Sequence, residues 1–129
     1  MKTEEKDTML RYGTVNFERR KHPRVDVDLP VEYARNDWVI KQGRAINASE
    51  GGLLIYFPEP MEIGQHLKMR LFFTSGSDLI TIEALVEVVW MDFHLGEDLG
   101  EYRAGVKFVE ISQESLDRLK SFMKDLFFP

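Results

Sequence analysis

The chain has 129 residues, 43% of them hydrophobic and 30% charged, a balance that supports one folded domain with one core and excludes an intrinsically disordered chain. It has no cysteine, which excludes disulfides, thiolate metal sites and cysteine nucleophiles and agrees with a reducing compartment, so a cytoplasmic location is expected. Seventeen basic against twenty-two acidic residues leave a net charge of -5, so no DNA or RNA polymer is expected as a partner, whereas a small anion needs only a local basic patch.

Residues 1–16 show no sustained hydrophobic period and no apolar run long enough for a signal peptide or a membrane span, so they read as a flexible leader and residues 17–129 as the domain. From Arg11 to Arg24 five basic residues are opposed by Glu18 alone. Such a run is either a solvated basic tail or half of an anion site, and charge alone does not decide between them. Pro23 biases His22 towards an extended conformation.

Val25, Val27 and Leu29 then alternate with Asp26 and Asp28, the pattern of a strand with one buried face, and Pro30 predicts a break or bulge before Val31 and Tyr33. After the turn signal Asn36-Asp37, Trp38 to Ile46 reads as a second strand interrupted by Gly43. The stretch from Asn47 to Gly52 is a concentrated turn signal, followed by a short apolar strand from Leu53 to Phe57. Leu67, Met69, Leu71 and Phe73 make a fourth alternating strand, and residues 74–78 a hairpin turn.

In the longest strand Ile80, Ile82, Ala84, Val86, Val88 and Trp90 share one parity, which assigns Trp90 to the core. An acidic, glycine-containing loop from Asp92 to Glu101 precedes a last strand through Tyr102, Ala104, Val106 and Phe108. Ser112 caps a helix predicted over 113–128, with a staple between Ile111 and Leu116. Its stripe of Leu116, Leu119, Phe122, Met123, Leu126 and Phe127 must cover apolar surface, either one end of the sheet structure or a second copy of the chain. The expected fold is an all-β-dominated, six-stranded antiparallel barrel with a C-terminal helix.

Two segments stand apart from core formation: RRKHPR at 19–24 and NASEGG at 47–52. Guanidinium groups suit phosphate because their planar fork donates two parallel hydrogen bonds, and they also stack on purine faces. In the turn, Asn47 and Ser49 offer short polar side chains beside Gly51 and Gly52, where the missing side chains let a ligand approach the backbone. The competing reading is that Asn47 and Ser49 bond their own backbone and the glycines supply positive φ.

An RxxxR motif from Arg20 to Arg24, followed after one strand pair by a [D/N]xSxxG motif at Asn47, Ser49 and Gly52, resembles the signature of the PilZ domain family. The valine-rich strand ending in Trp90, the loop after it and the segment Tyr102 to Phe108 before the final helix are also similar, so the resemblance extends over roughly residues 17–127. It implies a split-barrel type fold and binding of cyclic di-GMP between the arginine loop 19–24 and the turn. By the same resemblance Arg20 and Arg24 engage phosphates and guanine faces, Arg19 assists, and Asn47, Ser49 and Gly52 contact a guanine and the adjoining phosphate. Asn47 takes the amide alternative to Asp, keeping an acceptor without the charge.

Cyclic di-GMP has two phosphates and two guanines, so it requires paired cationic forks, stacking surfaces and edge readers. The arginines of the loop repel one another, so the loop is expected to order only when the ligand arrives and thereby signal to an unidentified protein partner. The rival reading is an adaptor of the same fold that contacts proteins and binds no nucleotide. No cofactor and no metal are expected, because His22, His66 and His94 lack ligand spacing, and no nucleophile–base pair marks an enzyme. A monomer and a homodimer are both compatible with the helix stripe.

Overall fold

Alternation along the chain, interrupted at a few register shifts, places one face of each strand inside, and the computed structural model, which describes residues 23–36, 39–93 and 102–127, closes those faces on one another. Strand β1 is Val25–Ala34, β2 Lys41–Ala48, β3 Gly52–Phe57, β4 His66–Ser75, β5 Asp78–Phe93 and β6 Tyr102–Ile111, followed by helix α1, Gln113–Phe127. All neighbours are antiparallel in the order β1-β2-β3-β6-β5-β4, and β4 returns to β1 through pairs such as Val31 with Leu71. Closure leaves no unpaired edge to template aggregation.

The interior is filled by Val31 and Tyr33 from β1, Ile55 and Phe57 from β3, Leu67 and Leu71 from β4, Ile82, Val86 and Val88 from β5, and Val106 from β6. Helix α1 closes one end. Ser112 caps it, its Oγ accepting from the Ser115 N–H at 3.0 Å, and Leu119 and Met123 enter the core while the Phe122 ring packs on Phe73 at 4.3 Å. Burying Leu119 completely is worth about 1.5–3 kcal/mol, enough to hold a short helix that would be marginal alone. The stripe therefore covers the barrel, although Leu126 at its end stays exposed.

At the far end of β1 the buried Tyr33 hydroxyl donates to Glu59 Oε2 at 2.7 Å, and Lys41 Nζ donates to Glu59 Oε1 at 2.8 Å, with Arg35 3.5 Å away. This network ties the β1–β2 hairpin to the segment that links β3 and β4. Burial first, then the hydrogen bond and charge of Glu59, push the Tyr33 hydroxyl well above its ordinary range. Partial burial pushes Glu59 up, but the hydrogen bonds from Lys41 and Tyr33 and the charges of Arg35 and Lys41 outweigh it, and its carboxyl sits below the usual range.

Four sequence expectations are corrected. The irregularity in β1 falls between Asp26 and Leu29 rather than at Pro30, which pairs in register with Arg44. Gly43 does not interrupt β2: it lies inside the strand where a Cβ would come 2.7 Å from the Tyr56 carbonyl oxygen, so close strand approach explains it. β2 itself begins at Lys41, and Trp38 lies outside the described residues. The fourth concerns Trp90. A register shift between Val88 and Trp90 inverts the parity of β5, so Met91 packs against the core and Trp90 stands half-buried on the outer face.

Among the described residues no helix is long and apolar enough to cross a membrane, and no group of three metal-ligating side chains is close enough to hold an ion.

Candidate functional site

Of the turn expected over 47–52, Asn47 and Ala48 prove to end β2 and Gly52 to open β3, so the turn itself is residues 49–51, and its shape is built by Ser49. The Ser49 N–H donates to the Gly52 carbonyl at 2.9 Å, while its nearly buried Oγ accepts from the N–H groups of both Gly51 and Gly52 at 3.2 Å. The hydroxyl thus takes up two donors that a tight turn leaves over. On the other flank the Gly51 carbonyl accepts from the Phe108 N–H at 2.9 Å, docking the turn on β6.

The glycines are not there for positive φ, which among the described glycines occurs at Gly64 and Gly76. At Gly52 a side chain would collide with the Val106 carbonyl oxygen and come within 3.0 Å of Lys107 Cα. Strand β3 therefore starts so close to β6 that only a bare Cα fits.

Asn47 lies on the outer face of β2 opposite Asp26, with its Nδ2 3.4 Å from Asp26 Oδ1. Its Oδ1 is shielded from solvent and has no hydrogen-bond partner among the described residues. Because the oxygen is shielded, an incoming donor reaches it only after the groups around it move aside. Arg24 precedes Val25, whose register partner is Ala48, so the exposed arginine enters the barrel beside Ser49.

The register carries this face further round the barrel. Asp26, Asn47, Leu54, Gly105 and Trp90 are successive cross-strand partners on the outside of β1, β2, β3, β6 and β5. A Cβ at Gly105 would fall 2.7–2.8 Å from carbons of the Trp90 indole, which places the ring flat across the glycine. The Arg103 guanidinium lies 6.0 Å from the Trp90 ring centroid and is held by Asp92 at 2.7 Å, while the Arg103 Nε is shielded and has no partner among the described residues. Beside Gly52, Lys107 faces Glu87 at 3.8 Å, and Lys120 of α1 reaches Glu50 in the turn at 3.6 Å.

Of the residues expected from sequence, Arg24, Asn47, Ser49, Gly51 and Gly52 meet at one corner of the barrel, and Arg19 and Arg20 lie outside the described residues. Sequence reasoning missed Trp90, Arg103 and Lys107 on the adjoining wall. The available signal was the run Val88-Val89-Trp90-Met91, four apolar residues in succession, in which parity ceases to assign a face. One groove of about 950 Å³ runs past Tyr33, Lys68, Leu85 and Glu110, away from the turn at Ser49 to Gly51.

Residues 18–125 match the family model described as PilZ domain. No curated protein matches the chain in sequence. Solved structures do: the inhibitor of motility MotI/DgrA of Bacillus subtilis at 16% identity and TM-score 0.71, covering 83% of this chain and 50% of that one; the PilZ domain of YcgR from Escherichia coli with c-di-GMP at 12% identity and TM-score 0.64, covering 84% and 91%; and the Borreliella burgdorferi PlzA protein in complex with c-di-GMP at 11% identity and TM-score 0.59, covering 84% and 52%. The chain spans about half the length of MotI/DgrA and PlzA and nearly all of the YcgR domain. At these identities the likeness is one of fold.

Proposed function

Because the chain belongs to the PilZ domain family, we propose that it is a cyclic di-GMP sensor that takes the ligand between the arginine loop 19–24 and the turn from Asn47 to Gly52. The observation that carries this reading is the convergence of Arg24, Asn47, Ser49 and Gly52, the described residues of the two motifs, at one corner of the barrel. An arginine fork suits the phosphates of the ligand, and a short amide side chain suits the edge of a guanine. Structures of two fold relatives, the YcgR domain and PlzA, hold the same ligand and support the assignment.

In this reading each group has a separate task. Arg20 and Arg24 pair with phosphate oxygens and stack on guanines, with Arg19 as an auxiliary. Ser49 holds Gly51 and Gly52 in position, Asn47 reads a guanine edge, and the indole of Trp90 with the Arg103 guanidinium supplies a stacking shelf along the same face. Ligand-induced ordering of the arginine loop then changes the surface presented to a downstream protein.

Titration calorimetry with cyclic di-GMP tests the proposal. The unaltered chain is expected to bind, with Arg20→Ala and Arg24→Ala each weakening binding at least about tenfold, the worth of one lost charge-assisted contact. No heat from the unaltered chain would leave the adaptor that binds no nucleotide.

A further inference from the structure

On the assumption that the turn receives cyclic di-GMP, we infer that Lys107 is a phosphate contact of the same site, held by Glu87 until the ligand arrives. Lys107 is the cross-strand partner of Gly52, and its side chain stands on the outer face next to that bare Cα. An anion lying over Gly52 therefore has the lysine stem directly alongside, within reach of a flexible four-carbon chain that ends in three donors. The side chain is 57% exposed, so it turns towards the ligand without crossing packed core.

The present partner holds it loosely. Lys107 Nζ is 3.8 Å from Glu87 Oε1, beyond hydrogen-bonding distance, and His66 Nε2 approaches the same carboxylate oxygen at 3.5 Å. His66, Glu87, Lys107 and Gly52 are successive cross-strand partners, so the three side chains form one line leading to the turn. When Lys107 leaves for a phosphate, Glu87 retains His66 and solvent, which keeps the exchange inexpensive. Glu87 also repels an approaching phosphate. Its charge therefore opposes binding while that of Lys107 favours it.

The test measures cyclic di-GMP affinity by calorimetry at low and high salt for the unaltered chain, Lys107→Met, Lys107→Arg and Glu87→Gln. Lys107→Met keeps the apolar stem and is expected to weaken binding about fivefold and to flatten the salt dependence, whereas Lys107→Arg retains both. Glu87→Gln is expected to tighten binding about twofold. Lys107→Met binding with the affinity and salt dependence of the unaltered chain would overturn the assignment of Lys107. Absence of binding by the unaltered chain would instead remove the sensor reading on which it rests.

Discussion

Asp26 and Asn47 are register partners on the outer face of the β1–β2 ladder, Asp26 Oδ1 lying 3.4 Å from Asn47 Nδ2. This pairing gives a physical reason for an amide where the family motif also allows Asp: a carboxylate at 47 would stand directly against that of Asp26. Like charges directly opposite in a ladder are destabilising, so Asn47→Asp is expected to lower stability by about 0.5–1 kcal/mol at neutral pH. Adding Asp26→Asn should restore it. Chemical denaturation of the two variants checks both, and a stable single variant would contradict the role assigned to Asp26.

Ser49 and Gly52 have distinguishable duties in the turn. Ser49→Ala removes the acceptor used by two backbone donors and is expected to cost about 1–2 kcal/mol, while Ser49→Thr keeps the oxygen. Gly52→Ala forces β3 away from the Val106 carbonyl and should cost about 1–3 kcal/mol, with weaker ligand binding as well. Thermal melts and calorimetry on the same samples separate loss of fold from loss of affinity.

The Tyr33–Glu59 pair makes stability depend on pH at both extremes. The raised Tyr33 value means that the folded chain holds its proton more tightly than the unfolded one. That contribution is complete below the unfolded tyrosine value of about 10 and declines as pH rises above it. Glu59 is depressed, so its contribution is present above the unfolded carboxylate value and is lost as pH falls through the folded one. Tyr33→Phe should cost about 1–2 kcal/mol near neutrality and abolish the alkaline decline, and Glu59→Gln should flatten both limbs. Denaturation midpoints across pH give the readout.

Trp38 and Trp90 are the two tryptophans of the chain. With Trp38→Phe the remaining fluorescence comes from Trp90, on the outer face over Gly105. Cyclic di-GMP stacking there should quench and shift that emission, with a midpoint equal to the calorimetric one. An emission unaffected by saturating ligand would remove Trp90 from the site.

Much of this architecture was legible in the residues. Alternation in Leu67 to Phe73 fixed a strand and its inner face because each side chain must point opposite to its neighbour. Ser112 marked the start of the helix because an unpaired N–H at that end needs a side-chain acceptor. The turn was visible from its serine and paired glycines, but not its bounds: Asn47 and Ala48 belong to β2 and Gly52 to β3, because ladder pairing extends into polar and glycine residues that local propensity assigns to a loop. Alternation failed at Trp90 because a single inserted residue inverts every later face, and four consecutive apolar residues do not reveal where the insertion falls.

The succession of strands and the helix cap could be read from the residues because they depend on local periodicity and short-range hydrogen bonding, and the basic cluster before β1 and the resemblance through Arg20, Arg24, Asn47, Ser49 and Gly52 because they depend on residue identity and spacing alone. Tertiary structure alone decided that Asn47 faces Asp26, that Trp90 leaves the core and that Lys107 stands beside Gly52. Those relationships follow from cross-strand register, which is set by the closure of the whole barrel and not by any one of its strands.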